Sequence, residues 1–327
     1  PICDQGGECD LQDQSMNFGS DSSRFYIKKR GVEDKNLGPI IKTVMTRCIH
    51  CTRCVRFATE VAGLKDLGTT GRGKKTEIGT YVSKIIATEL SGNVVDLCPV
   101  GALTSKVYAF KARPWELKSR DSVDVMDSFG SNIVLQSKGN DLVRILPRVN
   151  EELNEEWLTD KTRYALDGVK YNRILNPLVQ DSSSTFKECS WEDAFSIISN
   201  KIKTFKTEDL HLNFTLSKLS DLDTGFACQE FSKQFKGKSF LNLDRKFKSG
   251  VLNKDLDSNI RSNNLNSKIG NSDLILLVNT NLKEELPLLF VKLRNHVSKN
   301  GIKAGLVGNN YDLPKGFSHL GFNVQEF

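Results

Sequence analysis

The sequence predicts a chain of two characters: an α+β, loop-rich, metal-binding front and an α/β rear built on a parallel sheet. Three observations predict it. Six of the eight cysteines fall into two patterned groups, all before residue 99, and patterned cysteines in a long chain point to metal rather than to disulfides. Two apolar runs, 132–136 and 141–146, flank a turn containing Gly139-Asn140, which is a β-hairpin signal. Beyond Asn176-Pro177, strand-like and helix-like segments alternate, the order of a parallel sheet with crossover helices.

The elements follow in chain order. Residues 1–40 are rich in Gly, Asp and Gln with little periodicity, and read as a loop segment wrapped around a metal. Residues 41–112 hold the main cysteine run and end in a helix expected over 102–111. Arg113-Pro114-Trp115 is a connector, because a proline there would break a continuing helix. Residues 113–176 form a small β-rich domain with the hairpin and an acidic stretch at 150–160. Residues 177–327 form the α/β domain. Within it Ser190 caps a helix running through Ile202, with Asp193 as an acidic first-turn residue. A strand is expected at 210–214, a helix at 219–235, a strand at 273–278, a helix at 283–299 and a strand at 302–307.

Bulk composition sets limits. A hydrophobic fraction of 38% is ample for the cores of two or three domains over 327 residues. The longest apolar stretch, Leu274–Val278, is far shorter than the roughly 20 residues of a membrane span, so membrane association is expected only through partners. Net charge is +6, with basic patches at 24–30, 72–75 and 111–120. These read as solvated faces or counter-charge for anionic groups, and no nucleic-acid partner is expected. The first residue is Pro1 and no signal or transit segment is visible. A composition rich in Asn, Lys and Phe suits an AT-rich genome, and so a mitochondrially encoded copy, with a bacterial source as the alternative.

The chemistry lies in Cys48-Ile-His-Cys51-Thr-Arg-Cys54, followed after 43 intervening residues by Cys98-Pro99. This is the run of bacterial ferredoxins, whose last cysteine also precedes a proline. A [4Fe–4S] cube needs one ligand per iron. Two-residue gaps let a short loop present three sulfurs, and a distant fourth closes the site. Zinc is the competing metal, although structural zinc more often pairs two separated C-x₂-C units. His50 lies inside the loop but is not expected to ligate, since four cysteines already serve. Cys3 and Cys9, with five residues between them, make half a site; Gly6-Gly7 permits close backbone approach. Taken alone, the pair could equally be a redox couple or chance. Cys189 and Cys228 read as ordinary thiols. Gly68–Gly73 with Lys74 and Lys75 is a near miss to a phosphate-binding loop: Lys75 stands where magnesium binding needs Ser or Thr.

Several segments together resemble the large iron–sulfur subunit family of respiratory complex I (NADH:ubiquinone oxidoreductase). They are Pro1 to Gln14, Arg47 to Phe57, Gly68 to Gly73, Cys98 to Leu103, Arg113 to Leu117 and Val123 to Ile133. The resemblance is dense over 1–135 and weaker beyond. It implies one [4Fe–4S] cluster on Cys48, Cys51, Cys54 and Cys98, at the family's C-x₂-C-x₂-C-x₄₃-C. It implies a second on H-x₃-C-x₂-C-x₅-C, whose last two cysteines are Cys3 and Cys9, with the other ligands outside this chain.

Residues from Val123 also resemble the opening of molybdopterin oxidoreductases, which carry C-x₂-C-x₃-C. Here those positions are Asp124, Asp127 and Ser131, and oxygen suits iron–sulfur irons poorly. No third cluster is expected, and with Val278 at a glycine position of the cofactor loop, no molybdopterin. The fold class implied is a ferredoxin-type α+β segment followed by an α/β molybdopterin-oxidoreductase-like domain serving as scaffold.

The function implied is electron transfer from NADH, through a flavin on another subunit, toward ubiquinone, with no catalytic residue on this chain. Expected partners are other complex I subunits: a flavin-bearing NADH-oxidising subunit, a downstream iron–sulfur subunit and a chain supplying the missing N-terminal ligands. The expected place is the matrix-side arm at the mitochondrial inner membrane, or the cytoplasmic face of a bacterial membrane. The alternatives are a subunit of a soluble formate dehydrogenase or NAD-reducing hydrogenase, and a zinc-stapled interaction module.

Overall fold

Two short strands tie the front of the chain together. Ile41–Thr43 pairs antiparallel with Leu103–Ser105, Thr43 facing Leu103. The ladder continues where the Val44 N–H donates to the Ala102 carbonyl at 2.8 Å. The structure is a computed structural model. It describes all residues except 1, 29, 81–83, 128, 182–183, 205–211, 218, 235–238, 244–268 and 324–327. A second antiparallel pair, Leu67–Thr70 with Glu77–Thr80, closes through the glycine turn, where Gly71 (φ +74°) and Gly73 (φ +57°) take left-handed conformations. The glycine run is thus a hairpin loop. Leu37, Ile41, Phe57, Ile78, Leu90 and Val94 form the core between these pairs.

The helix expected over 102–111 is absent. Leu103–Ser105 is a strand, followed by turns with Phe110 at φ +56°. Pairing with Ile41–Thr43 satisfies the backbone groups that a helix would have paired internally, so tertiary contact overrides local preference. Conversely, a helix, Asp10–Phe18, occurs inside the segment read as loop. It buries no residue and, at nine residues, is too short for a clear helical period to stand out in sequence.

The expected hairpin is present as Asn132–Lys138 and Asp141–Pro147, turning at Gly139 (φ +62°). A third antiparallel strand, Lys118–Val123, lies on its edge. That strand is mostly exposed, and its polar sequence gave no alternating pattern.

Leu274–Val278, Lys303–Val307 and Phe317–Gly321 form a parallel sheet in that order. The expected helix 283–299 is two helices, Leu282–Glu285 and Pro287–Asn300. Leu286 lies between them at φ −141°, and a residue before proline is pushed out of helical geometry.

By its contacts the chain forms two compact units, Pro1–Asp167 with Asn264–Phe327, and Gly168–Asn263. The C-terminal parallel sheet and its helices therefore share contacts with the front of the chain, and the reason is physical. Helix Pro287–Asn300 places Leu288 and Val291 in the front core. Its Arg294 donates to the carbonyls of Glu60 (2.8 Å) and Val61, in space that Gly63 leaves free.

In the second unit, helix Trp191–Lys203 is capped by Ser190, whose hydroxyl accepts the Asp193 N–H at 3.1 Å. Helix Leu222–Lys233 is capped by Asp221. Leu212–Leu216 pairs in parallel with Ser239–Leu243. The expected strand start at 210–211 lies outside the described residues, as does position 235 of the expected helix.

Candidate metal centre

The strand pair solves the problem posed by 43 intervening residues. Cys48 follows Thr43 by five positions and Cys98 precedes Leu103 by five, so pairing Thr43 with Leu103 brings the two ends together. Cys48, Cys51, Cys54 and Cys98 line one pocket, whose walls include Leu37, Met45, Leu67, Ile78, Val100 and Leu103. Cys54 and Cys98 are buried, Cys48 and Cys51 half-buried.

The loop carrying three of these thiols is held in an uncommon backbone. His50 sits at φ +55° and Thr52 at φ +62°. Histidine enters the left-handed region fairly readily, but a β-branched residue there is an outlier. These two residues fill one position in each two-residue gap. The His50 N–H donates to Cys48 Sγ at 3.4 Å, so the loop directs an amide at sulfur. Before the loop, Met45 N–H donates to Asp34 Oδ1 at 2.9 Å and Thr43 Oγ1 to the Lys35 carbonyl at 2.6 Å.

Helix Asn93–Leu97 delivers Cys98 and is clamped from the side. Asp160 accepts from Ser91 N–H (2.9 Å), Ser91 Oγ (2.6 Å) and Gly92 N–H (2.6 Å). The buried Asn93 donates to Leu90 and Leu158 carbonyls and accepts the Leu158 N–H.

Burial, and then the neighbouring sulfurs of Cys98, Cys48 and Cys51, push the Cys54 thiol up to about 12. Burial also pushes the Cys98 thiol up, against hydrogen bonds to the backbone of Val100, Leu103 and Ala102. In an apolar pocket four thiolates would repel one another. Only a cationic centre would stabilise them, and its insertion would release protons. Among the described residues no group of three or more His, Cys, Asp or Glu side chains is arranged to hold a single metal ion. The donor set, all soft sulfur in an apolar pocket, fits a [4Fe–4S] cube.

The half-site abuts the complete one. The Cys3–Cys9 loop turns through Gly6 N–H to the Cys3 carbonyl (3.2 Å) and Glu8 N–H to the Gln5 carbonyl (2.9 Å), and Asp10 N–H donates to the Pro99 carbonyl (2.9 Å). Arg113 Nη1 donates to the carbonyls of Cys3 (2.9 Å), Asp4 (3.2 Å) and Gly6 (3.4 Å). Arg144 pairs with Glu8. Cys3 and Cys9 are both half-buried, and Cys9 packs against the front core.

At the third position Asp124 and Ser131 are buried. Met126 N–H donates to Asp124 Oδ1 at 2.8 Å, and Phe129 and Gly130 N–H donate to Asp127 Oδ1 at 3.0 and 3.1 Å. Ser131 Oγ donates to Asp127 Oδ2 at 3.4 Å, and Thr162 Oγ1 to Asp124 Oδ2. An internal oxygen network therefore occupies these positions. The contributions of Thr162 and Asn93 were not legible in sequence, where neither belongs to a motif. Cys189 and Cys228 lie in the second unit.

Three family models match in succession. Residues 38–104 match "NADH-quinone oxidoreductase subunit 3, ferredoxin-like domain". Residues 117–167 match "NADH-ubiquinone oxidoreductase NDSU1/NuoG-like, 4Fe-4S domain", a stretch without cysteine. Residues 173–327 match "Molybdopterin oxidoreductase". The NADH-ubiquinone oxidoreductase 75 kDa subunit of Reclinomonas americana is 47% identical over 99% of this chain and 48% of its own length. Over the length it spans, the chain is a homologue of the complex I large iron–sulfur subunit.

Two further relatives agree. The mitochondrial NADH dehydrogenase (ubiquinone) iron–sulfur protein 1 of Solanum tuberosum is 47% identical over 99% of this chain and 43% of its own length. The mitochondrial 78 kDa subunit of Neurospora crassa is 47% identical over 98% and 43%. The chain spans about half the length of these complex I relatives. Its architecture is that of the complex I subunit: a ferredoxin-like segment, a cluster-type domain, then a molybdopterin-oxidoreductase-like α/β domain.

Proposed function

We propose that the chain is an electron-carrying part of complex I, conducting single electrons from the NADH-oxidising flavin toward ubiquinone. The observation that carries this reading is the convergence of Cys48, Cys51, Cys54 and Cys98 on one apolar pocket. A [4Fe–4S] cube held by these four thiolates would accept and release one electron at a time. The chain's own residues exclude water from it, direct the His50 amide at Cys48 Sγ, and fix Cys98 through the clamped helix. Burial and amide-to-sulfur bonds are the levers by which a protein sets such a group's potential. No general acid, base or nucleophile is required.

A second cube would take Cys3 and Cys9 as two of its ligands, the remaining His and Cys coming from another chain or segment. The partners are accordingly a flavin-bearing NADH-oxidising subunit, a downstream iron–sulfur subunit and the supplier of those ligands. No helix among the described residues is long and apolar enough to cross a membrane. The proposed place is the matrix side of the mitochondrial inner membrane, with attachment through partners. The oxygen network at Asp124, Asp127 and Ser131 favours a cluster-free scaffold at those positions.

Iron and acid-labile sulfide in the purified complex, with the visible absorption of the isolated chain, test this reading. It expects brown protein with equimolar iron and sulfide. A colourless, zinc-loaded chain would overturn it.

A further inference from the structure

Gly101 lies three residues beyond Cys98, between Val100 and Ala102 of the four-cysteine pocket's wall, and abuts Cys3. A Cβ built there would collide with Cys3 Sγ and press on Gln5 Cβ at 3.1 Å, with Arg47 Nη1 at 3.7 Å. The backbone of Gly101 is not left-handed, so conformational freedom does not explain glycine at this position; space does. Arg47, next to Cys48 in the chain, reaches across the same point. Its Nη1 donates to the Gly101 carbonyl at 3.4 Å and its Nη2 to the Ile2 carbonyl at 3.1 Å. One guanidinium is thus bonded to the segment after Cys98 and to the residue before Cys3.

We propose that Gly101 and Arg47 are positioning residues that form the junction between the two cluster sites. Gly101 seats Cys3 against the wall of the complete site, and Arg47 locks that contact while placing a positive charge between the two sets of thiolates. This rests on the reading of both cysteine groups as cluster ligands. Two consequences follow. The half-site depends on residue 101, whereas the complete site, whose four cysteines line a pocket that Gly101 does not line, does not. Positive charge favours the reduced, more negative form of each cluster, so Arg47 raises the midpoint potentials at the junction.

The test is EPR of the reduced, assembled complex with redox titration of each cluster signal. Gly101→Ala is expected to broaden or abolish the signal of the Cys3/Cys9 cluster and leave that of Cys48, Cys51, Cys54 and Cys98 intact. Arg47→Gln is expected to lower the midpoint of the Cys3/Cys9 cluster, and Arg47→Lys, which keeps the charge, to restore it. Both signals unchanged in Gly101→Ala, or both lost, would overturn the proposal. If Gly101→Ala does not assemble, the Arg47 pair decides: equal midpoints in Arg47→Gln and wild type, or no recovery in Arg47→Lys, would overturn it. A wild-type complex without two such signals would instead refute the underlying reading of the cysteines.

Discussion

Arg163 Nη2 lies 2.6 Å from Asp96 Oδ2, and Asp96 stands two residues ahead of Cys98. The same guanidinium donates to Asn93 Oδ1 at 3.2 Å. The Arg163 side chain is only 6% exposed, Asp96 29%. One cation from the β-rich region thereby holds the short helix that delivers the fourth cysteine.

Arg163→Met should therefore act on both stability and cluster content. Removing one partner of a buried pair strands the other charge; with Asp96 partly hydrated, the cost is about 2–4 kcal/mol. Thermal unfolding of the iron-loaded protein should show a lowered midpoint, and iron content should fall with it. An unchanged midpoint would remove the clamp from the account.

Thr52 gives a sharper test of the cysteine loop. At φ +62° it occupies a region that costs a β-branched residue roughly 1–2 kcal/mol. Thr52→Gly should retain the cluster and be neutral or stabilising by up to about 1 kcal/mol. Thr52→Pro, with φ locked near −65°, should draw Cys51 and Cys54 out of register and abolish the cluster's absorption. Retention of the cluster in the proline variant would contradict the described loop.

Asp127 carries a pH prediction. Burial, reinforced by the neighbouring Asp124, raises its carboxyl above the ordinary range. The folded state then holds a proton that the unfolded chain has lost. Its contribution to stability is present below the ordinary carboxylate pKa and lost as pH rises through the raised value. Asp127→Asn keeps the acceptor for Phe129 and Gly130 N–H, and should flatten that weakly acid dependence while being neutral or stabilising at pH 7. Unfolding midpoints measured from pH 4 to 7 in both proteins check this; identical slopes would refute it.

Much of this was legible in sequence because it is local or strongly patterned. Gly139-Asn140 encodes its own turn, Ser190 its own cap, and the cysteine spacing groups the four thiols that line one pocket. The losses have common causes. Leu103–Ser105 is a strand only because Ile41–Thr43, some 60 residues away, pairs with it, and no window contains both. Pro287 is visible, yet the break at Leu286 depends on its taking extended geometry. Asn93, Asp160 and Arg163 act through contacts 65–70 residues apart in sequence, a range over which polar residues carry no pattern. The closeness of Cys3 to the complete site depends on an empty space at Gly101, which a sequence does not display.

The most direct measurement is the low-temperature EPR spectrum of the NADH-reduced complex carrying Cys51→Ser, beside wild type and Cys189→Ser. Cys51→Ser is expected to lose or distort one [4Fe–4S] signal and stop electron flow to quinone, while Cys189→Ser keeps every signal. Loss of a cluster signal in Cys189→Ser, or an unaltered spectrum in Cys51→Ser, would contradict this expectation.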